Sequence, residues 1–290
     1  MATPRTVGLI TLTEKPGVKR ALADMIEALS SAGIDYIVVD DLPMLDQIAG
    51  KIDMLVTFGG DGTMLSLAPF AALHRLPLAG VNLGRLGFLT TCSVPLIPKF
   101  VDCLVQGSYQ VDDRTLLEAR LFDREGLLKG EPRLALNEVS LARGQNGKMV
   151  DLDAVVDGVL LNRYHADGVL VATPTGSSAY SLSAGGPLVW PGSGVVCVTP
   201  VCPHSLTNRS VILPDSSEIL LRPRERRGRA DSMLYSLDGR DTHKIKVGEF
   251  LAIRKSSFVL SLVHFPDYSF AGLLRTKLRW QSAELPSEEA

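Results

Sequence analysis

Apolar runs and helical-period stretches alternate through the first third of the chain. Val7–Leu12 is an apolar run of strand length. Pro16 fits the first turn of a following helix, where its missing N–H has no intrahelical partner. Ala21, Met25, Ile26 and Leu29 then recur at helical spacing, and Gly33 ends the pattern. Ile34–Val39 predicts a second strand, Met44–Ala49 a short helix, Met54–Phe58 a third strand and Leu78–Asn82 a fourth. Strands alternating with helices imply a parallel sheet with helices on its faces. Such sheets bind ligands outside the carboxyl ends of their strands. The pattern changes near Asp112. From Thr115 to Val263 the chain breaks into short apolar or alternating runs, among them Leu116–Leu121, Leu152–Val156, Gly168–Ala172, Val195–Thr199, Glu218–Leu221 and Phe250–Arg254. Helical period returns only at Ser177–Ala184. The expected fold class is α/β plus all-β: an N-terminal α/β domain with a parallel sheet, then a β-rich, sandwich-like domain. A cleft between two domains is a usual place for a site.

Composition changes this picture little. Of 290 residues, 46% are hydrophobic and 21% charged, enough apolar material for one large or two modest cores. A net charge of -2 gives no electrostatic reason to expect nucleic acid. Cys92, Cys103, Cys197 and Cys202 lack metal-ligand spacing and read as reduced, buried thiols. Met1–Arg5 is too short and polar for a signal peptide, and no apolar run reaches membrane-spanning length. The expectation is a cytoplasmic protein. The polar tail Ser282–Ala290 reads as frayed.

Candidate chemistry gathers where the third strand ends. Gly59-Gly60-Asp61-Gly62-Thr63-Met64-Leu65 follows Phe58, with a helix predicted from Thr63 onward. Glycines let a ligand approach the main chain closely. Amides of a turn that leads into a helix N-terminus suit bound phosphate. An aspartate there repels phosphate unless it performs chemistry or works through a cation, which singles out Asp61. The Walker pattern fails because Thr63-Met64 follows Gly62, and the dinucleotide fingerprint fails at Leu65. A tight turn with an incidental acid is the bland alternative.

Other segments join it. Val81–Leu89 is a second glycine-punctuated turn after a strand, a simple loop or a second wall beside Asp61. Asn137-Glu138 follows Leu134–Leu136 and is either a turn cap with a solvated acid or a nucleoside-binding pair, amide to base edge and carboxylate to ribose hydroxyls. Asp167–Ser183 ends a strand at Thr173-Pro174 and turns through Thr175-Gly176-Ser177-Ser178 into a short helix. Capping accounts for one or two of its hydroxyls; sugars or phosphates account for more. Tyr180 offers a flat face for a base. A serine nucleophile has little support, since the G-x-S-x-G elbow is absent. The basic run Arg222, Arg224, Arg226, Arg227 and Arg229 reads as a solvated loop.

Taken in order, these segments resemble the NAD kinase family. The resemblance rests on Gly59–Leu65, Val81–Leu89, Asn137-Glu138, Asp167–Pro187, Pro200–Arg209, Ser236–Arg240 and Leu273–Trp280, which span nearly the whole chain. The first motif alone is shared with phosphofructokinases and with diacylglycerol and sphingosine kinases; the set is specific. It implies an α/β domain over 1–112, a β-rich NAD-binding domain over 113–266, and a segment, 267–290, that packs back on the first. It implies a homodimer or homotetramer, with NAD near a subunit interface. Asp61 would be the proton acceptor for the 2′-hydroxyl of the NAD adenosine ribose as it attacks the γ-phosphorus of ATP. Gly59, Gly60, Gly62 and Thr63 would face the ATP phosphates. Asp61, Gly62 and Phe88 would lie against NAD, Asn137 and Glu138 would hold its adenosine part, and Asp167 its other end. Thr175, Ser178, Ala179, Tyr180 and Ser183 would line the base and ribose pocket. Lys148 and His165 fall where some members place basic contacts. Arg240 stands where several bacterial members have glutamine, and Ser66 where some have arginine. Mg²⁺ would arrive with ATP; no constellation identifies dedicated metal ligands. Inorganic polyphosphate is an alternative donor. A lipid or sugar kinase of the same superfamily and a non-catalytic NAD sensor are the competing readings.

Overall fold

The computed structural model describes residues 3–12, 15–84, 87–144, 148–225 and 233–280. The tail Ser282–Ala290, Arg85 and Leu86 of the second glycine turn, and Arg226, Arg227 and Arg229 of the basic run lie outside them. The chain divides into two compact units. The first comprises Met1–Met64, Leu76–Asp112 and Leu262–Ala290, the second Leu65–Arg75 and Asp113–Ser261.

The first unit runs β1 (Thr6–Ile10), α1 (Val18–Ser31), β2 (Asp35–Val39), α2 (Leu42–Ile48), β3 (Met54–Phe58), α3 (Asp61–Leu73), β4 (Leu78–Asn82), β5 (Cys92–Ser93) and α4 (Ile97–Gln106). Residues of α3 from Leu65 onward group with the second unit. The strands lie in the order β2-β1-β3-β4, all parallel, with β5 parallel to β4. β3 and β4 are buried along their whole length, as strands covered on both faces must be. Ala21, Met25 and Leu29 of α1 share one core with Ile97, Phe100 and Leu104 of α4. The sequence reading did not anticipate α4. Its apolar residues fall at helical spacing, but Pro95 and Pro98 punctuate its start as a loop would. Pro98 sits in the first turn, where proline is tolerated, and Gly107 at φ 62 closes the helix.

The second unit holds β6 (Gln110–Phe122), β7 (Arg133–Ala135), β8 (Glu138–Arg143), β9 (Val150–Val156), β10 (Val159–Ala166), β11 (Gly168–Ala172), α5 (Tyr180–Ser183), β12 (Val195–Val201), β13 (Val211–Pro214), β14 (Ile219–Pro223), β15 (Met233–Leu237), β16 (Asp241–Ile245) and most of β17 (Phe250–His264). One sheet has the order β13-β12-β11-β8-β15-β16 and is antiparallel throughout. The other carries β10-β9-β14-β17, with β6 paired to β17 and to β7. Val139, Leu141, Val169, Val171 and Val198 of the first sheet meet Leu152, Ala154, Leu221, Leu251 and Ile253 of the second in one core. This is the sandwich packing expected from the alternating runs. β6 and β17 are much longer than the runs read from sequence. Charged residues interrupt their apolar pattern, and only the pairing partners show that the strands continue. The end of β17 returns to the first unit, where Leu262 pairs in parallel with Leu78 of β4, and α6 (Phe270–Leu278) follows. Among the described residues no helix is long and apolar enough to cross a membrane.

Two features of this fold prepare the site. Asp61 begins α3 directly after β3, at the carboxyl end of the parallel sheet. In the second unit, alternation along β8 turns Val139 and Leu141 into the core and Glu138 and Ser140 to the opposite face. The chain after β11 folds over that face: Val189 packs on Ala172 and Cys197, and Ser181 bonds Thr199 of β12 at 3.2 Å.

Candidate active site

The turn into α3 is built by close backbone packing. Gly59 donates its N–H to Val81 O at 2.9 Å, extending the β3–β4 pairing, and a Cβ at Gly59 would overlap the Thr63 side chain. Thr63 N–H bonds Gly60 O at 2.9 Å. The helix begins at Asp61 rather than at Thr63, so the acid lies in its first turn, where the helix dipole favours a negative charge. The Asp61 carboxylate is clamped. Oδ2 accepts the N–H of Phe88 at 2.8 Å and Oδ1 that of Leu89 at 3.0 Å. Gly87 N–H is held by Thr90 Oγ1 at 2.9 Å, and a Cβ at Gly87 would overlap the carboxylate itself. The loop after β4 is therefore a wall of the Asp61 site and not a simple connection. Lys277 Nζ of α6 stands 5.8 Å from the Phe88 ring centroid.

Asn137 and Glu138 open β8. Both are buried, and Glu138 is only 4% exposed, so the solvated-acid alternative fails. Asp238, on the turn between β15 and β16, accepts three main-chain N–H groups: Leu136 at 3.0 Å, Asn137 at 2.7 Å and Glu138 at 3.1 Å. From the other side, Thr173 Oγ1 donates to Leu136 O at 2.6 Å and Thr173 N–H to Asn137 O at 2.8 Å. Gly176 packs so closely on the Asn137 main chain that a Cβ there would overlap its carbonyl. The Glu138 carboxyl is pushed up to about 7, first by burial and then by the nearby Asp238 charge. Its Oε2 is buried and has no hydrogen-bond partner among the described residues. A buried polar atom without a partner calls for an explanation, and a ligand supplies one.

The hydroxyl-rich turn is less available than its composition implies. Ser177 Oγ donates to Pro174 O at 2.6 Å and accepts from Val189 N–H at 2.9 Å, Thr173 Oγ1 accepts from Gly176 N–H, and Ser181 Oγ meets Thr199 Oγ1. Thr173, Ser177 and Ser181 are fully buried and serve the local fold, which also rules out Ser177 as an accessible nucleophile. Capping and tying explain more of these hydroxyls than the sequence reading allowed. Thr175 is buried, Ser178 is half-buried with its hydroxyl on Thr175 O at 3.1 Å, Ala179 is half-buried, and Ser183 is exposed. Tyr180 is 45% exposed, leaving part of its ring open. Burial, and after it the charges of Cys202, Asp167 and Glu138, push its hydroxyl above the ordinary tyrosine range.

Asp167 pairs with Arg143 at 3.3 Å. His165 Nδ1 lies 2.7 Å from Asp151 Oδ1, and its ring meets His204 edge-on at 5.6 Å. Lys148 is exposed on the β8–β9 connection. Arg240 is exposed, and its charge acts on Asp238. Of the basic run, Arg224 pairs with Asp153 at 2.9 Å and Arg222 lies over the Phe250 ring. Glu138, Asp167 and Tyr180 thus share one neighbourhood in the second unit, while Asp61 and Phe88 share one in the first. Gly87, Arg143 and Asp238 were not singled out from sequence. Asp238 lies within Ser236–Arg240, but nothing in its residue type announces that it binds main-chain amides far away in sequence.

Comparison with known proteins decides the family. Residues 18–109 match the ATP-NAD kinase N-terminal domain and residues 136–265 the ATP-NAD kinase C-terminal domain. A NAD kinase from Sulfurimonas denitrificans is 35% identical over 284 residues, covering 95% of this chain and 97% of its own. One from Cytophaga hutchinsonii is 41% identical over 231 residues, covering 80% and 77%. The chain belongs to the NAD kinase family. Among solved structures, yeast NADH kinase complexed with NADH is similar with a TM-score of 0.85 and 26% identity, over 96% of this chain and 88% of that one. A NAD kinase from Archaeoglobus fulgidus in complex with ATP gives 0.74 and 25%, over 96% and 100%. This NAD kinase-family chain is therefore a phosphotransferase whose α/β and β-rich halves are those of its relatives.

The Glu138 geometry makes a prediction with two signs. A carboxyl raised when folded stabilises the protein fully below its unfolded value near 4.5, and that contribution is lost as pH rises through about 7. Glu138→Gln removes the ionisation, so the ligand-free variant is expected to melt higher than the wild type at pH above 7. The gain is on the order of 3 kcal/mol, and the difference shrinks on acidification. The same change replaces a charged acceptor by a neutral one, so KM for NAD is expected to rise by up to about a hundredfold, and more than KM for ATP. Melting curves on both sides of neutrality and paired KM values check it. Unchanged NAD affinity in a folded variant would remove Asn137-Glu138 from the nucleotide site.

Proposed function

We propose that this chain transfers the γ-phosphoryl group of ATP to the 2′-hydroxyl of the adenosine ribose of NAD, giving NADP. The observation that carries this reading is Glu138: a buried carboxyl with an oxygen that has no partner among the described residues, on a main chain fixed by Asp238, next to Asn137 and near enough to Tyr180 for its charge to act there. That set suits a nucleoside as the phosphoryl acceptor, which a lipid or a simple sugar does not present.

The roles are carried over from the family resemblance, residue by residue. Asn137 and Glu138 hold the adenosine, Glu138 accepting from ribose hydroxyls. Tyr180 offers its face to a base, with Thr175, Ser178, Ala179 and Ser183 around it, while Asp167 takes the other end of NAD. Lys148, His165 and Arg240 supply basic contacts. Asp61, held by two main-chain amides, orients the attacking 2′-hydroxyl and takes its proton, with Gly62 and Phe88 against NAD. Gly59, Gly60, Gly62 and Thr63 present main chain to the ATP phosphates. Phosphoryl transfer has a loose transition state, so fixed geometry and charge neutralisation matter more than a strong base. Among the described residues no group of three or more His, Cys, Asp or Glu side chains is placed to hold a metal ion alone. Mg²⁺ bound to ATP would supply charge neutralisation at the donor phosphates. Four free thiols, three buried and, against the expectation of burial, Cys202 exposed, fit a reducing, cytoplasmic setting; the family resemblance assigns the chain to a homodimer or homotetramer.

The test is steady-state turnover with NAD or NADH against ATP or inorganic polyphosphate, with light scattering on the same preparation. NADP formation from ATP and NAD by an oligomer is the expected result. NAD binding without turnover would establish the sensor reading, turnover only with polyphosphate would replace the donor, and an active monomer would remove the assembly.

A further inference from the structure

We propose that Asp238 is a positioning residue for the NAD acceptor, setting its geometry by fixing the main chain of Leu136, Asn137 and Glu138. This rests on the NAD kinase reading of the Asn137-Glu138 pair and names the residue that makes the pair work.

The β8–β15 register, Val139 opposite Leu237, brings the turn after β15 beside the residues that open β8. Asp238 adopts φ 52, a left-handed conformation in which its N–H reaches Glu138 O at 2.9 Å. Its carboxylate then turns back on the same stretch. Oδ1 takes the N–H of both Asn137 and Glu138, and Oδ2 that of Leu136. One residue thereby accepts three consecutive main-chain N–H groups and donates its own N–H to the Glu138 carbonyl. The Leu136 and Asn137 carbonyls are held by Thr173, and Gly176 closes the remaining space. A stretch fixed on both sides has one conformation, and the directions of the Asn137 and Glu138 side chains follow from it. Orientation at this level matters because a misplacement of about 1 Å can lower rate about a hundredfold.

The second consequence is electrostatic. The charge of Asp238 lies close enough to help hold the Glu138 carboxyl above its ordinary range, after burial, which is the larger cause. Tyr180 of α5 also couples to Glu138, with Asp167 and Arg143 beyond it, and Arg240 acts on Asp238. If ionised Glu138 accepts from the ribose, kcat/KM for NAD rises with pH through the Glu138 titration. Neutralising Asp238 moves that rise to lower pH. A residue that only stabilised the fold would not move it.

Asp238→Asn and Asp238→Gly separate the possibilities. Asparagine tolerates the left-handed conformation, keeps one acceptor oxygen and loses the charge. Glycine suits the same backbone and removes the acceptor altogether. Each is assayed for KM of NAD and of ATP over a pH range spanning neutrality, with NAD affinity by calorimetry and a thermal melt. The expected result is a rise in KM for NAD of about tenfold or more in both variants, with KM for ATP within about twofold. The acid limb of kcat/KM for NAD shifts to lower pH in both. Unchanged NAD affinity in folded variants would overturn the proposal. So would equal rises in both KM values with the limb unmoved, or failure of even the asparagine variant to fold, each of which marks a structural role alone. A wild-type protein that neither binds nor phosphorylates NAD would instead refute the functional reading, and the Asp238 assignment with it. A wild type that binds NAD without turnover would leave calorimetry to decide the assignment.

Discussion

Asp61→Asn is expected to lower kcat by about two to four orders of magnitude, the usual contribution of a positioned general base, while NAD affinity stays within roughly tenfold. The geometry refines what this substitution does. Asp61 accepts two main-chain N–H groups, one on each oxygen. Asparagine has one acceptor oxygen, and its NH₂ must face the N–H of either Phe88 or Leu89. The variant therefore loses a proton acceptor and also loosens the loop that walls the site. The two effects separate by measurement. A thermal melt and NAD binding report on the loop, and single-turnover rate reports on the chemistry. Near-normal turnover in a folded variant would remove Asp61 from the role of base.

Gly87→Ala is expected to lower kcat by about a hundredfold although it removes no group that carries chemistry. A Cβ at Gly87 would occupy the space of the Asp61 carboxylate, so either the carboxylate or the loop must move. Moving the loop pulls on Phe88 and Leu89, which hold the same carboxylate, so both routes displace it. Asn137, Glu138 and Asp238 lie in the other unit, and KM for NAD is expected to change far less than kcat. A Gly87→Ala enzyme with wild-type kcat would show that the carboxylate tolerates displacement, contrary to a mechanism based on fixed geometry.

Particular elements show what the sequence disclosed. β3, β4 and β11 are uniform apolar runs, and their ends agree with the expectation to the residue. Burial on both faces leaves no alternation to interpret, and glycine, proline or a polar residue marks each end. α4 escaped notice because prolines at a helix start resemble loop punctuation. β6 and β17 looked short because strand continuity depends on partners that sequence does not name. The site divides in the same way. Asp61, Asn137 and Glu138 stood out because an acid among glycines or a polar pair after an apolar run is chemically conspicuous. Gly87 and Asp238 act on main-chain atoms and on empty space, which leave no residue-type signature. Conversely, Ser177 and Ser181 advertised ligand contacts by composition, yet they bond inside the fold.

The most direct test follows the phosphoryl group itself. Purified enzyme is incubated with NAD and Mg²⁺ plus ATP labelled at the γ-phosphate, and the nucleotide product is isolated and offered to a dehydrogenase specific for NADP. Label in a product that this dehydrogenase reduces places the phosphate on the 2′-hydroxyl and its origin in ATP, and the Asp61→Asn enzyme should transfer almost none. Label released only as inorganic phosphate, or carried by a product the dehydrogenase ignores, would contradict the account.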